Sequence, residues 1–459
     1  MCNIQKNVRR ENKMSKKIIL SILLSAMLTL NGCSKMSDSI NNTDTKRSQG
    51  KVVNIYCWND EFKKIYSSYA SDLEKKYGVK TNFIIISNDN NAYQINLDEA
   101  LKDQDNAIDD DKVDLFLIEA DYAGKYIKSS NTLDVKKDIG LTERDLKEQY
   151  EYTKKIVTYD GAQKAVTWQA TPGLFVYRRS IAKKVFSTDE PKKIQSMLSD
   201  WTKFDKAAKQ VHDKGYYMLS GYDDSYRTFS NNMEKPWVIN NKVAIDKNIY
   251  KWIKQTKEYS EKNYCNHTTL WSPGWSRDQG PDGKVFGFFY STWGINFTLM
   301  GNSLADEKKA AKKGNGIYGD YAVCEGPQPY YWGGTWICAA KGTDNDMFIK
   351  ALMKRITCEK KVMKQITYDT QDYTNNQSAM EEIAKSDYSS DFLGGQNHIA
   401  LFAKVAPKID MSNISDYDSG CNEVIQEVFH PYFEGKSSFR KCKLNFYKKI
   451  SRRYPKLKY

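Results

Sequence analysis

Aromatic and hydrogen-bonding side chains recur along this chain where predicted strands and turns end. With 10 Trp and 31 Tyr among 459 residues, some rings are expected to do more than fill the core. Such rings beside carboxylates and amides suit a ligand that has an apolar face and a rim of hydrogen-bonding groups. An unpaired polar group in a buried site costs about 1–3 kcal/mol, so polar groups must converge with the rings. The candidate binding residues are Trp58, Asn59, Glu61, Asp121, Trp168, Gln169, Tyr290, Trp293, Tyr331, Trp332, Gly333 and Gln396.

The positions of these candidates favour a ligand site at strand ends. Trp58 follows the first predicted strand and Asp121 follows the third, and ligands of open α/β sheets bind beyond the carboxyl ends of strands. Trp332 and Gly333 form an aromatic-glycine turn, where the missing side chain lets a ligand approach the backbone. Structural roles are the alternative, because a Trp after a strand often covers the core and an acid such as Glu61 stabilises a first helical turn.

The remaining tryptophans are interpreted more simply. Trp271 and Trp275 are four residues apart and could form one core face or an outer part of the site. Trp201, Trp237 and Trp252 are assigned to packing.

No sequence motif for catalysis, a nucleotide or a metal stands out. Residues 314–319 fit G-x-G-x-x-G, but a strand follows this stretch instead of preceding it, so a loop is expected. The four His lack metal-ligand spacing, and no G-x-S-x-G is present. Seven Cys follow Cys33 without a C-x-x-C pair and are expected to be mainly buried thiols. The sequence therefore predicts neither a metal nor a cofactor.

The elements that must position these residues begin with an α/β series. Strand patterns at 51–58, 79–86 and 113–118 alternate with helical patterns at 61–77 and 97–101, which predicts a parallel sheet. Residues 166–177 are extended around Pro172 and Gly173, and helical patterns then dominate as far as about residue 302. The later segments are helices at 179–186, 196–214, 346–366, 416–434 and 441–455, with extended stretches at 320–324 and 333–339.

The charge distribution argues against nucleic-acid binding. The formal net charge is +13, but the basic excess lies at the two ends. Residues 435–459 hold ten Lys or Arg and no acid, and six more basic residues lie in 1–32. The body between them is close to neutral, whereas a nucleic-acid binder should carry a basic patch on its folded body.

The N-terminal segment predicts export. Lys16 and Lys17 precede an uncharged, mostly apolar run at 18–30, which is too short to span a bilayer and is typical of a signal peptide. Residues 30–33 (LNGC) resemble a bacterial lipobox, so Cys33 is the predicted lipidation site and Met14 a plausible start. An uncleaved anchor, or an ordinary signal peptide with a chance Cys, is the alternative. The Ser- and Asn-rich residues 34–50 are expected to be a flexible tether.

Several segments, in order, resemble the carbohydrate-binding lipoproteins of ABC importers, whose best-known relatives bind maltodextrins. No segment is diagnostic alone, but their order together with the lipobox makes the resemblance strong. The last helix departs from it, because Ser438 to Tyr459 is strongly basic. The matching segments are Trp58–Phe62, Val113–Ile127, Ala170–Phe186, Met218–Asn232, Lys284–Trp293, Cys324–Ile337 and Phe392–His398.

The resemblance implies an α/β, two-lobed periplasmic-binding-protein-like fold of type II with hinge strands. It implies one lobe at 51–168 and 324–375 and another at 169–323 and 376–459. It further implies a lipid-anchored monomer on the outer face of the cell membrane that binds an oligosaccharide, passes it to a transmembrane permease and catalyses nothing. The alternatives are a secreted glycoside hydrolase and a binding protein for another solute, such as a metal or a polyamine. The acids Glu61, Asp121 and Glu325 make the polyamine conceivable.

Overall fold

The chain folds into a mixed α/β structure whose strands form two separate main sheets. A computed structural model describes residues 50–459, which belong to one compact unit. The predicted signal segment, Cys33 and all of the tether except Gly50 lie outside the described residues. The strands are β1 (Val52–Cys57), β2 (Lys80–Ile85), β3 (Val113–Glu119), β4 (Thr158–Tyr159), β5 (Ala162–Gln163), β6 (Gly173–Arg178), β7 (Leu219–Gly221), β8 (Val238–Ile239), β9 (Lys242–Val243), β10 (Cys265–Thr268), β11 (Gly287–Ser291), β12 (Tyr321–Cys324) and β13 (Thr335–Ala339).

Helices cover these sheets and form the C-terminal part of the chain. A π-helical segment, Gly294–Leu299, runs directly into α13. The helices are α1 (Glu61–Tyr69), α2 (Asp72–Tyr77), α3 (Ala92–Lys102), α4 (Ala123–Ile127), α5 (Glu143–Leu146), α6 (Glu151–Ile156), α7 (Arg179–Phe186), α8 (Pro191–Leu198), α9 (Trp201–Asp213), α10 (Tyr226–Ser230), α11 (Lys247–Glu261), α12 (Pro273–Asp278), α13 (Met300–Asn302), α14 (Asp346–Thr357), α15 (Lys360–Thr370), α16 (Gln377–Ala384), α17 (His398–Val405), α18 (Asp418–Phe433) and α19 (Phe439–Arg453).

The first sheet has the strand order β13-β3-β1-β2. β1 pairs in parallel with β2 and with β3, as the alternation of strands and helices predicts. Residues 113–118 of β3 are all buried, which agrees with their continuous apolar pattern. β13 adds an antiparallel edge from far along the chain, which sequence periodicity could not place.

The second sheet is antiparallel and has the order β11-β6-β12. The extended stretch predicted at 166–177 forms a strand only from Gly173 onward. Before it, single bridges join Val166 to Ile337, Gln169 to Thr374 and Pro172 to Tyr331. Residues 166–172 therefore connect the first sheet to the second.

Three helices predicted as continuous are broken in the structure. The pattern at 61–77 is α1 and α2, that at 196–214 is the end of α8 plus α9, and that at 346–366 is α14 plus α15. Asp200 caps α9, since its side chain accepts a hydrogen bond from the backbone N–H of Lys203, and this confirms Ser199 or Asp200 as the N-cap that the sequence predicts. Apolar periodicity continues across the other two breaks and does not reveal them. The region up to residue 302 also contains five strands, β7 to β11, where helices were expected to dominate.

The cysteines of the described part contribute to the core as free thiols. Cys57 and the six other cysteines beyond residue 50 are unpaired, and all but Cys358 are buried. This confirms the expectation of mainly buried thiols. Among residues 50–459, no helix combines the length and the apolar character needed to cross a membrane.

Candidate ligand-binding site

The antiparallel pairing of β13 with β3 builds one edge of the candidate site. Thr335, the first residue of β13, lies opposite Glu119, the last residue of β3. The turn at 331–334 therefore meets the carboxyl end of β3, where Glu119 accepts a hydrogen bond of 2.8 Å from the backbone N–H of Asp121. Gly333 has φ +69°, and a Cβ there would lie 3.2 Å from Trp293 Nε1 and 3.6 Å from Glu119 Oε1. Glycine at this turn thus permits the close approach of a Trp from the second sheet.

Five rings form an aromatic cluster at this edge, and we call it the tryptophan cluster. Trp271 stacks on Trp293 at 6.2 Å, and Trp332 lies 5.4 Å from Trp293 and 5.7 Å from Tyr290. Trp275 completes it, 5.1 Å from Trp271. The indole Nε1 of Trp293 donates to the carbonyl oxygen of Trp332 at 2.9 Å, which joins the end of β11 to the turn before β13.

The rings of the cluster differ strongly in exposure. Trp271 is 56% exposed, whereas Trp332 is 7% exposed and Tyr290 is fully buried. Trp271 also has a φ of +66°, a backbone conformation that a bulky residue rarely adopts. An exposed Trp held in strained backbone offers an apolar face for a ligand beside rings that are already packed.

An ion pair between Asp121 and Arg227 borders the tryptophan cluster. Arg227 of α10 donates to both carboxylate oxygens of Asp121, at 3.1 and 2.8 Å, and its guanidinium lies 5.4 Å from the ring centre of Trp332. Loss of water raises the pKa of Asp121, but Arg227 more than offsets this and leaves the pKa below its ordinary value. Burial and the charge of Asp121 raise the pKa of the neighbouring Glu119. The site thus holds one ionised carboxylate beside one that takes up a proton readily.

A second polar group lies at the start of α1 and centres on Gln169. Its side-chain amide donates to Glu61 at 2.8 Å and to Asp372 at 3.2 Å, and its oxygen accepts from the backbone N–H of Thr335 at 3.1 Å. Thr292, at the end of β11, donates to Asp372. Burial, helped by the charge of Asp372, raises the pKa of Glu61 to about 7. This group ties the segment between the sheets to both of them.

A cavity of about 500 Å³ adjoins the ion pair. Asp121, Arg227 and Tyr331 lie in its wall, together with α4 on one side and residues 410–426 on the other. Burial raises the pKa of Asp418, another residue of the wall, to about 7. Trp58, Trp293 and Trp332 do not line it. The cavity and the tryptophan cluster therefore meet at the Asp121–Arg227 pair without overlapping.

The other predicted site residues are more dispersed. Trp58 is partly buried and packs edge-on against Tyr93 and Tyr122, at ring distances of 5.5 and 6.3 Å. Asn59 is exposed, and its side-chain oxygen accepts from the backbone N–H of Glu61 at the start of α1.

Three predicted residues make contacts inside the protein. Trp168 is 1% exposed and packs on Phe62 at 5.4 Å. The Tyr290 hydroxyl donates to Gln279 at 3.1 Å. Gln396 exchanges two hydrogen bonds of 2.8 Å with the backbone of Val323 in β12.

Arg227, Asp372 and Thr292 are site residues that sequence reasoning missed. Arg227 lies 106 positions from Asp121, and Asp372 lies 203 from Gln169, so no local pattern links the partners. Trp271 was noticed only as one half of an i, i+4 pair. Within residues 50–459, no three His, Cys, Asp or Glu side chains are grouped so as to hold a metal ion.

Comparison of the sequence with family models gives a match over most of the chain. A family model described as a bacterial extracellular solute-binding protein matches residues 68–391. Comparison with curated protein sequences gives no significant match.

Solved structures share the fold at low sequence identity. A family 1 extracellular solute-binding protein superposes with a TM-score of 0.73 at 15% identity, covering 87% of this chain and 99% of that one. The ABC-transporter-associated binding protein from B. animalis subsp. lactis Bl-04, solved with β-1,6-galactobiose, gives 0.65 at 18% identity over 88% and 97%. The sugar-binding protein MalE from Xanthomonas citri gives 0.65 at 12% identity over 87% and 96%. At these identities the likeness shows the fold alone, and it agrees with the predicted α/β binding-protein fold.

Proposed function

Because this chain belongs to the bacterial extracellular solute-binding proteins, which bind solutes and are not enzymes, we propose that it captures a carbohydrate and delivers it to an ABC importer. The proposed ligand is an oligosaccharide, and the proposed partner is the transmembrane permease. In this proposal the chain acts as a monomer, held at the outer membrane face by lipid on Cys33.

The tryptophan cluster is the observation that supports a sugar ligand best. Trp271 presents an exposed ring beside Trp293 and Trp332, and a carboxylate and a guanidinium lie at the edge of the same cluster. A pyranose can cover such a ring with its C–H face while its hydroxyls bond to Asp121 and Arg227. The adjoining cavity gives room for further sugar units, which favours an oligosaccharide over a single ring.

We propose that the ligand binds in a cleft between two lobes, each built around one of the two main sheets. We assign residues 51–168 and 324–375 to one lobe and 169–323 and 376–459 to the other. The segment at 166–172 and the Gln169 group cross between them. Closure about these crossings would bring the cluster and the ion pair onto the ligand, and release would follow when a permease favours the open form.

The experiment is a thermal-shift screen of glycans followed by calorimetric titration. β-1,6-Galactobiose is the first probe, because the binding protein from B. animalis subsp. lactis Bl-04, which shares this fold, was solved with it. A ligand at 100 times its dissociation constant adds about 2.7 kcal/mol to the stability of the protein. The proposal is supported by a glycan that stabilises the protein and is recovered intact after the titration.

A polyamine arm of the same screen tests the alternative ligand. Spermidine should give no shift if the site recognises hydroxyls and C–H faces. Stabilisation by spermidine with none by any glycan would contradict the carbohydrate proposal and leave the binding-protein family untouched.

A further inference from the structure

The last helix carries a surface with charge of one sign. Residues 435–459 contain ten Lys or Arg and no Asp or Glu, although the whole chain holds 57 acids. Ordinary protein surfaces intersperse both signs, which cancels most of their field. The proposed sugar site does not use this segment.

Packing fixes which side of α19 is turned to solvent. Cys442, Phe446 and Ile450 recur every four residues and are buried, and Phe446 lies 5.5 Å from the ring of Trp237. The opposite side is therefore held outward. We call it the basic face, and its exposed residues are Arg440, Lys441, Leu444, Lys448 and Arg452.

The charges of the basic face are not neutralised within the described part of the chain. At its border, Lys449 pairs with Glu427 and Arg453 with Glu423, both on α18. No ion pair is found among residues 50–459 for the four cations of the basic face itself. Pairing thus ends at the border, and the outward side keeps its full positive field.

We propose that the basic face binds the anionic headgroups of a lipid membrane surface. Leu444 lies in the middle of the face and is 47% exposed, so an apolar side chain surrounded by cations is presented together with them. Clusters of four or more Lys or Arg on a helix are attracted to anionic bilayer surfaces. Each Lys or Arg near such a surface strengthens binding about fivefold. Surfaces that bind single-stranded nucleic acid stack the bases on aromatic rings. The five residues of the basic face include no aromatic ring, which favours a membrane surface over such a nucleic acid.

The test protein is the fragment 48–459, which contains the whole compact unit and lacks Cys33. We measure its sedimentation with vesicles of phosphatidylcholine alone and of phosphatidylcholine mixed with phosphatidylglycerol. Binding should occur only to the mixed vesicles and should weaken as salt is added. The triple variant Lys441→Gln, Lys448→Gln and Arg452→Gln should bind at least about tenfold more weakly.

A matched control removes three charges elsewhere. Lys75→Gln, Lys102→Gln and Lys206→Gln change exposed residues outside the basic face by the same net charge, and this variant should bind as the parent does. Leu444→Ser should weaken binding without changing charge. Both triple variants should melt at the parent temperature, because every replaced residue is exposed.

Three results would overturn the proposal. They are equal binding by parent and basic-face variant, equal binding to uncharged and anionic vesicles, and binding to a polyphosphate or nucleic acid without binding to anionic vesicles. None of these bears on the sugar proposal or on the Cys33 anchor, since the fragment lacks Cys33 and no sugar is added.

Discussion

At the scale of single residues, Gln169 holds two carboxyl groups together in one buried polar group. Glu61 and Asp372 both accept from its amide, and burial raises the pKa of each. Two carboxylates near one neutral amide repel each other, so the folded protein favours protonation of one of them. The proton uptake of Glu61 should therefore appear in the stability of the protein.

Replacing Glu61 should change how stability depends on pH. Its folded pKa of about 7 lies above the ordinary 4.5, so its stabilising contribution is complete below 4.5 and is lost as pH rises through about 7. Glu61→Gln should remove this loss. Between pH 4.5 and 7 the free energy of unfolding of the variant should therefore rise relative to that of the parent by at most about 3 kcal/mol. Chemical unfolding at a series of pH values measures the gain.

The control for this prediction is Glu99→Gln, an exposed residue of α3. It should leave the parent pH profile unchanged. A Glu61→Gln profile parallel to that of the parent from pH 4.5 to 7 would show that folding does not raise the pKa of Glu61.

Trp271 and Trp252 should separate ligand binding from packing. Trp271 is 56% exposed and Trp252 is fully buried. Trp271→Ala should weaken sugar binding by about 1–3 kcal/mol with little change in ligand-free melting, because a ring that covers a sugar face is removed. Trp252→Ala should instead cost about 3–5 kcal/mol of stability. Calorimetric titration and thermal unfolding of both variants give the two numbers, and unchanged affinity in Trp271→Ala would exclude that ring from the site.

The sequence locates candidate residues better than it ranks them. Trp58, Trp168 and Tyr290 all lie in or beside extended segments, yet Trp58 is partly buried while Trp168 and Tyr290 are enclosed. The difference comes from partners such as Phe62 and Trp332 that no local pattern connects to them. For the same reason Arg227 could not be predicted, although the Asp121 it binds was.

At the scale of elements, local apolar runs predict strands and helices well but not their partners. β1, β2 and β3 follow from alternating strand and helix patterns, because each βα unit places the next strand in parallel. The antiparallel place of β13 depends on contacts across more than 200 positions, Thr335 with Glu119. The cap at Asp200 is predicted from its residue type, but the breaks between α1 and α2 and between α14 and α15 lie inside continuous apolar periods that do not mark them.

The Asp121–Arg227 pair should couple α10 to the segment after β3. Both partners are partly exposed, so water screens the pair, but the bidentate geometry is good. A double-mutant cycle with Asp121→Asn and Arg227→Met should give a coupling of about 1 kcal/mol in the free energy of unfolding. Arg227→Lys should restore only part of it, because an ammonium cannot make the paired hydrogen bonds.

The exposed Lys209–Asp213 pair within α9 is the comparison for that cycle. Pairs of this kind on a helix contribute about 0.3–0.5 kcal/mol. A coupling for Asp121 and Arg227 no larger than this would mean that the pair does not hold the two elements together.

At the scale of the whole molecule, the proposed lipid anchor depends on Cys33, which lies outside the described residues. Cys33→Ser should yield protein without lipid that is released or left unprocessed, because the hydroxyl cannot replace the thiol as the modified group. Two acyl chains hold a protein stably where a single chain is marginal. Cell fractionation and mass measurement check this, with Cys2→Ser as the control that should stay attached. Normal processing and retention of Cys33→Ser would remove the anchor proposal.

Ligand binding should make the molecule more compact. The chain crosses between the two main sheets at residues 166–172 and again between β12 and β13, and the Gln169 group links the same two sheets. These crossings are few enough to act as a hinge. The Asp121–Arg227 pair and the Trp293–Trp332 hydrogen bond already join the two sides in this structure. A sugar that touches Trp271 and Trp293 on one side and Asp121 on the other would lose contacts in an open form, so it must favour this closed arrangement. Small-angle scattering should therefore show a fall in the radius of gyration on adding the sugar found by the screen. The Trp271→Ala variant at the same sugar concentration should show a smaller fall, because less of it is bound. If the parent radius stays constant when calorimetry shows saturation, the sugar binds to a site that is already closed, and the crossings are rigid connections instead of a hinge.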